Sequence, residues 1–181
     1  MRVLVVVESM FGNTYSVGSS IVDGLRGVHP SVTADVLRVG DAQAADVVGV
    51  DLLVVGVPTH WFGIPSQRTQ HQYLRDTDVV ASVTRIGTPL DPSAAGIRVR
   101  DWLGTLAHVD AGRAATFDTR LARPFSGGAA PRLARRLTRL GYTLTGEPTG
   151  FIVTGMEGPL RAGELDRARM WGHDLIAPLL A

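Results

Sequence analysis

The order of apolar runs along this chain predicts an α/β fold, a parallel sheet with helices on both faces. Three observations carry that prediction. Residues 3–7 and 51–57 are runs of strand length, rich in Val and Leu, with no polar alternation. Strands buried between two layers of helix need apolar side chains on both faces, and that produces such runs. The segments between the runs place apolar residues at helical spacing, and the two patterns alternate along the chain, as parallel sheets with crossover helices do.

The elements follow in order. Residues 3–7 form the first strand. After a glycine-containing loop, Val17, Ile21 and Leu25 share one helical face, and Gly27 and Pro30 punctuate its end. Residues 32–37 form a second, more polar strand, suited to a place near an edge. A short helical piece then leads to the third and most apolar strand, 51–57. Residues 58–92 are irregular, and 64–92 lack any clear period; loops of that length are usually functional or mobile. Asp91-Pro92-Ser93 has the form of a helix start, predicting a helix through Ile97 and Trp102 to about Ala107. Residues 113–117 form a short fourth strand and 118–128 a loop. Residues 131–140 form a helix with Leu133, Leu137 and Leu140 at core spacing, ended by Gly141. A fifth strand lies within 142–154, broken around Gly146-Glu147-Pro148. The last helix, about 162–180, is expected to bury Leu165, Ala168, Trp171 or Gly172, Leu175 and Leu179.

Size and composition suit one domain over residues 1–181: 45% of residues are hydrophobic and 19% charged, the range of an ordinary folded chain. The formal net charge is +1, so no strong field draws the chain to nucleic acid or anionic lipid. Every one of the 18 basic residues is Arg. With abundant Ala and Gly, that reflects base composition before function. There is no Cys, which excludes disulfides, thiolate chemistry and Cys-ligated zinc or iron–sulfur clusters. Redox chemistry would need a bound cofactor, and no metal site is expected. The apolar start is interrupted by Glu8 and is too short to cross a membrane, so a cytoplasmic protein is the expectation.

The loop after the first strand, Ser9-Met10-Phe11-Gly12-Asn13-Thr14, joins a buried strand to a helix. A helix N-terminus offers unpaired N–H groups and the positive end of the dipole. Gly12 lets the backbone curl, and Ser9, Asn13 and Thr14 add short polar side chains, which together make a nest for phosphate. The loop has no Lys or Arg. A nucleotide-hydrolysing loop needs Gly-x-x-x-x-Gly-Lys-Ser/Thr and a dinucleotide site needs Gly-x-Gly-x-x-Gly; neither is present. A terminal monophosphate, held rather than transferred, fits better. The alternative is a plain strand-to-helix turn with a capping side chain.

Ser-x-Phe-Gly-Asn-Thr after a hydrophobic first strand resembles the phosphate loop of the flavodoxin family, with Phe11 where Thr or Tyr is usual. The resemblance implies a doubly wound five-stranded sheet in the order 2-1-3-4-5. It also implies an FMN at the carboxyl ends of the strands, at the switch point of the topology. Val57-Pro58-Thr59-His60-Trp61-Phe62-Gly63 is similar to the family's second loop, which sets an aromatic plane against the isoalloxazine. Trp61 is then the first stacking candidate and Phe62 the second, and backbone of 58–63 reaches the ring's polar edge. Alternatively the two aromatics cap the core. His60 either hydrogen-bonds near the flavin or stands in solvent. The third family loop corresponds to Phe117, Asp118, Thr119 and Arg120. Arg120 would favour a reduced, anionic flavin by Coulomb attraction, unless it points outward or pairs with Asp118.

Arg132, Arg135, Arg136 and Arg139 form a stripe on the fourth helix, either a docking face for an acidic partner or a solvated surface. Met156-Glu157-Gly158-Pro159 sets the start of the last helix and carries no evident chemistry. Three functions fit: an electron carrier serving a redox partner protein or a small-molecule electron acceptor; an FMN-dependent reductase or oxidase of a small substrate such as a quinone or porphyrinogen; and a binding module on the same fold without FMN. Family carriers are typically acidic, and this balanced chain departs from that.

Overall fold

The structure, a computed structural model, describes residues 1–59, 91, 96–122 and 128–180. Strand β1, Arg2–Val7, is buried on both faces, as its unbroken Val/Leu run requires. Helix α1, Asn13–Arg26, crosses to β2, Thr33–Arg38. A 3-10 turn at Ala44–Val47 leads to β3, Leu52–Pro58. Then come a four-residue helix α2, Val99–Trp102, and β4, Arg113–Leu121. Helix α3 is Ala130–Arg139; β5, Thr143–Leu144, and β6, Thr149–Val153, follow it, and α4, Glu164–Leu180, closes the order.

The sheet runs β2-β1-β3-β4-β5, with β6 also paired to β4, and these strands all pair parallel. This is the expected 2-1-3-4-5 order, with β2 at the edge. The fifth position is shared: β5 pairs with Arg113 and Ala114, β6 with the stretch from Phe117 to Leu121. The break expected at Gly146 falls between the two, where Gly146 has φ +81°.

Side-chain alternation divides the interior. Val3, Val5, Val7, Leu52, Val54, Ala115 and Phe117 face α1 and α4. Leu4, Val6, Leu53, Val55 and Val57 face α2 and α3, against Val99, Trp102, Leu133 and Leu137. On the first face α1 and α4 meet backbone to backbone: a Cβ on Gly24 would stand 1.9 Å from the Arg169 carbonyl oxygen, and one on Gly172 2.4 Å from that of Ile21.

Three expectations are corrected. β4 does not end at Phe117; it continues to Leu121, because β6 supplies a partner for residues whose polar character suggested a loop. The helix expected from residue 91 to 107 is confined, among the described residues, to Val99–Trp102, and Asp91, Gly96, Ile97 and Arg98 are not helical. On α4, Leu165 and Leu179 are 41% and 37% exposed. The buried stripe is instead Glu164, Ala168, Gly172, Leu175 and Ile176, whose small members let α1 approach.

Candidate functional site at the carboxyl ends of the strands

The first loop is braced from below. The Glu8 N–H donates to the Gly56 carbonyl at 2.9 Å, continuing β1 beside β3. The Glu8 carboxylate turns under the sheet and accepts from Arg98 Nη1 at 3.3 Å and from the Val99 N–H at 3.1 Å. Burial raises the Glu8 pKa, against the opposing pull of Arg98. Arg98 is only 3% exposed, and its Nη2 finds no hydrogen-bond partner among the described residues. Sequence reasoning treated Glu8 only as an interruption. Its signal was an acid at the end of an otherwise apolar buried strand, which demands a partner.

The loop then curls over this base. The Met10 carbonyl accepts from the Asp91 N–H at 2.8 Å, and the buried Asp91 carboxylate takes Arg38 Nε at 2.9 Å. Arg38 lies over the Tyr15 ring, 3.9 Å from its centroid. Ser9 is buried, and its Oγ accepts from the Tyr15 N–H at 3.4 Å. Phe11 is half-buried. Gly12 has φ +81°, a conformation that suits glycine, and a Cβ there would meet nothing within 4 Å. No side chain caps the start of α1, and among the described residues the N–H groups of Gly12, Asn13 and Thr14 have no acceptor. Those are the orphan donors that every helix start must place somewhere.

The three sequence-predicted segments meet. Thr14 Oγ1 and Thr119 Oγ1 share a hydrogen bond of 2.8 Å, both residues buried. The Thr59 N–H donates to the Thr119 carbonyl at 2.8 Å, and Thr59 Oγ1 accepts from the Ala129 N–H at 3.0 Å. Asp118 Oδ2 accepts from the Ala130 N–H at 2.9 Å, so its carboxylate holds the first turn of α3. Asp118 is fully buried and burial raises its pKa, offset in part by the Ala130 N–H, Arg120 and Thr59. Pro58 closes β3. His60, Trp61, Phe62 and Gly63 lie outside the described residues.

The Phe117 ring is not presented to the loops; it lies in the core over Gly56, edge-on to Phe151 and Trp171 at 5.9 and 6.2 Å between centroids. Arg120 pairs with Asp118 at 3.6 Å instead of pointing outward. It fits because Gly128 and Gly150 leave it a slot, where a Cβ would stand 2.2 and 2.3 Å from the guanidinium group. Asn13 also has a second task. Its Nδ2 donates to the Glu157 carbonyl at 2.8 Å, and a Cβ on Gly158, at φ +108°, would come 2.6 Å from its amide. The Met156–Gly158 turn is thus part of this site. The only hint in the sequence was the Gly-Pro pair before the last helix.

The arrangement offers uncharged donors: a run of backbone N–H groups, the second N–H of the Asn13 amide, and buried hydroxyls. Such a set suits an anion that stays bound. Among the described residues no group of His, Asp or Glu could hold a metal ion, and no helix is long and apolar enough to cross a membrane.

No protein-family model matches the chain, and no curated protein sequence matches it. Solved structures do. A flavodoxin from the domain Archaea superposes with a TM-score of 0.66 at 15% identity, covering 100% of both chains. Flavodoxin 2 from Bacillus cereus gives 0.66 at 16% identity over 98% of this chain and 99% of that one. The flavodoxin of Streptococcus pneumonia TIGR4 gives 0.65 at 15% identity over 98% and 99%. The fold is that of the flavodoxins along essentially the whole chain.

Proposed function

We propose that this flavodoxin fold holds one FMN and serves electron transfer. The phosphate would sit in residues 9–14 and the isoalloxazine against residues 58–63, with the end of β4 alongside. The observation that carries this reading is the row of N–H groups at Gly12, Asn13 and Thr14 without an acceptor, beside open space at Gly12. A capped turn would have spent those donors on a side chain. The Thr14–Thr119 bond further ties the phosphate loop to the strand end expected to border the ring. When bound, the flavin itself supplies the electron chemistry.

The chain's own residues do the rest. Backbone donors neutralise the phosphate without a competing cation, and Ser9, Asn13 and Thr14 shape the loop. Trp61 and Phe62 are the proposed aromatic walls. Arg120, its charge offset by Asp118, is the cation nearest in sequence to the proposed ring edge and a muted one.

Titration of the ligand-free protein with FMN and with riboflavin, followed by flavin fluorescence, tests the site. FMN is expected to be quenched stoichiometrically and riboflavin to bind much more weakly. Equal affinity for the two, or no quenching of either, would refute it. Anaerobic photoreduction then separates the roles: two resolved one-electron steps support a carrier, whereas rapid NADH or NADPH oxidation with a quinone acceptor supports the reductase reading.

A further inference from the structure

We propose that the exposed face of α3 docks an acidic surface of a partner protein. Helix α3 carries Arg132, Arg135, Arg136 and Arg139 and no acidic residue. Arg132, Arg135 and Arg139 are exposed and Arg136 half-buried. Their spacing of three and four residues puts them on one face, spread over a helix about 15 Å long.

The neighbours make this face unusual. Arg26 pairs with Asp35, Arg38 with Asp91, Arg98 with Glu8 and Arg120 with Asp118. Arg161 and Arg167 share Glu164, and Arg169 pairs with Asp166. None of the four arginine side chains on α3 has an ion pair or hydrogen bond among the described residues. Removing their four charges from the chain's +1 leaves −3 on everything else. Arg2, Arg100 and Arg113 also lack a carboxylate partner among the described residues, but they lie singly on other elements, whereas α3 carries four such cations together.

The chemistry selects the occupant. Guanidinium groups in a row match carboxylates in two-pronged hydrogen bonds. Leu133, Ala134 and Leu137, the apolar side of α3, are buried against the sheet, so the helix has no apolar face left for a bilayer. A net-negative remainder repels the long phosphodiester backbone of a nucleic acid. The start of α3 is held by Asp118 and Thr59 through the Ala130 and Ala129 N–H groups. A partner at the start of this helix, by Arg132, thus sits near the carboxyl ends of β3 and β4, and the stripe leads from there toward the start of β4 at Arg139.

The test uses the full chain, with and without added FMN, and three probes: a short polyglutamate peptide, a DNA duplex, and phosphatidylglycerol vesicles. The peptide is expected to bind at low ionic strength and to weaken sharply at physiological salt. The triple variant Arg132→Gln, Arg135→Gln, Arg139→Gln should lower its affinity roughly tenfold, while Arg169→Gln, an exposed arginine on α4 across the sheet, should not. Backbone amide shifts on peptide addition should map to α3 in the unmodified chain, a readout independent of any variant. No peptide binding, equal binding by the triple variant, shifts confined to other elements, or tighter α3-dependent binding of DNA or vesicles would each overturn the proposal.

Discussion

Replacing Thr14 and Thr119 by Val, singly and together, separates a bond that joins two parts of the site from two residues that merely fill space. The hydroxyls lie 2.8 Å apart, and the residues are 1% and 4% exposed. Val keeps the shape and removes the hydroxyl. Either single change leaves the other hydroxyl buried without its partner, at a cost of about 1–3 kcal/mol. Removing both leaves no orphan and should cost only about 0.5–1.5 kcal/mol, the net worth of one hydrogen bond. The double variant is then more stable than the sum of the singles predicts, by roughly 1 kcal/mol or more, whereas independent sites add to within about 0.5 kcal/mol. Urea unfolding of the ligand-free protein reads this directly, provided the slope is the same for all four proteins. If the double variant loses the full sum, the hydroxyls are not partners, and the first loop and the end of β4 are adjacent without being joined.

Other changes probe other parts of the argument. Burial raises the Glu164 pKa, but hydrogen bonds from Arg167, the Ile152 N–H and Arg161 outweigh it and hold the carboxyl below its ordinary 4.5. Its contribution is present above that value and lost as pH falls through the lower folded one. Glu164→Gln should therefore cost about 1–3 kcal/mol at neutral pH and flatten the acid limb of a melting-temperature profile. Asp118 has the opposite sign: burial raises its pKa above 3.8, so its ionisation costs stability as pH climbs from there through the folded value. Asp118→Asn keeps an acceptor for the Ala130 N–H, and its melting temperature relative to the parent should rise with pH across that window. Gly172→Ala must push α1 away from α4 and should destabilise by roughly 1–3 kcal/mol in spite of alanine's better helix propensity. Gly158→Ala should weaken FMN binding by about tenfold through displacement of Asn13, on the scale of one lost hydrogen bond, with a smaller effect on riboflavin.

The fold was legible because strand burial writes itself into sequence. The runs at 3–7 and 51–57 have no other reading in a chain of alternating elements, and the polar strand at 33–38 is the edge strand. The end of β4 was hidden because Asp118, Thr119 and Arg120 are polar yet buried or partly buried, partnered by Ala130, by Thr14 and by one another as an ion pair. Periodicity sees polarity, not satisfaction. The middle of the α4 stripe, Ala168, Gly172 and Leu175, was legible, but its start was misplaced for a related reason: the buried residue there is Glu164, a carboxylate held by Arg161 and Arg167. The first loop was visible as a local motif, but its distant supports were not. Glu8 reaches Arg98 and Asn13 reaches Glu157 across separations that no spacing rule connects.

The two-part edge of the sheet carries one last consequence. β5 and β6 each bind their own stretch of β4, so the short link between them, with Gly146 and Glu147 exposed, joins two independent ladders. Extra chain spliced in at that link would lengthen a surface connection without shifting either register. It is a natural place to graft a tag or a second module.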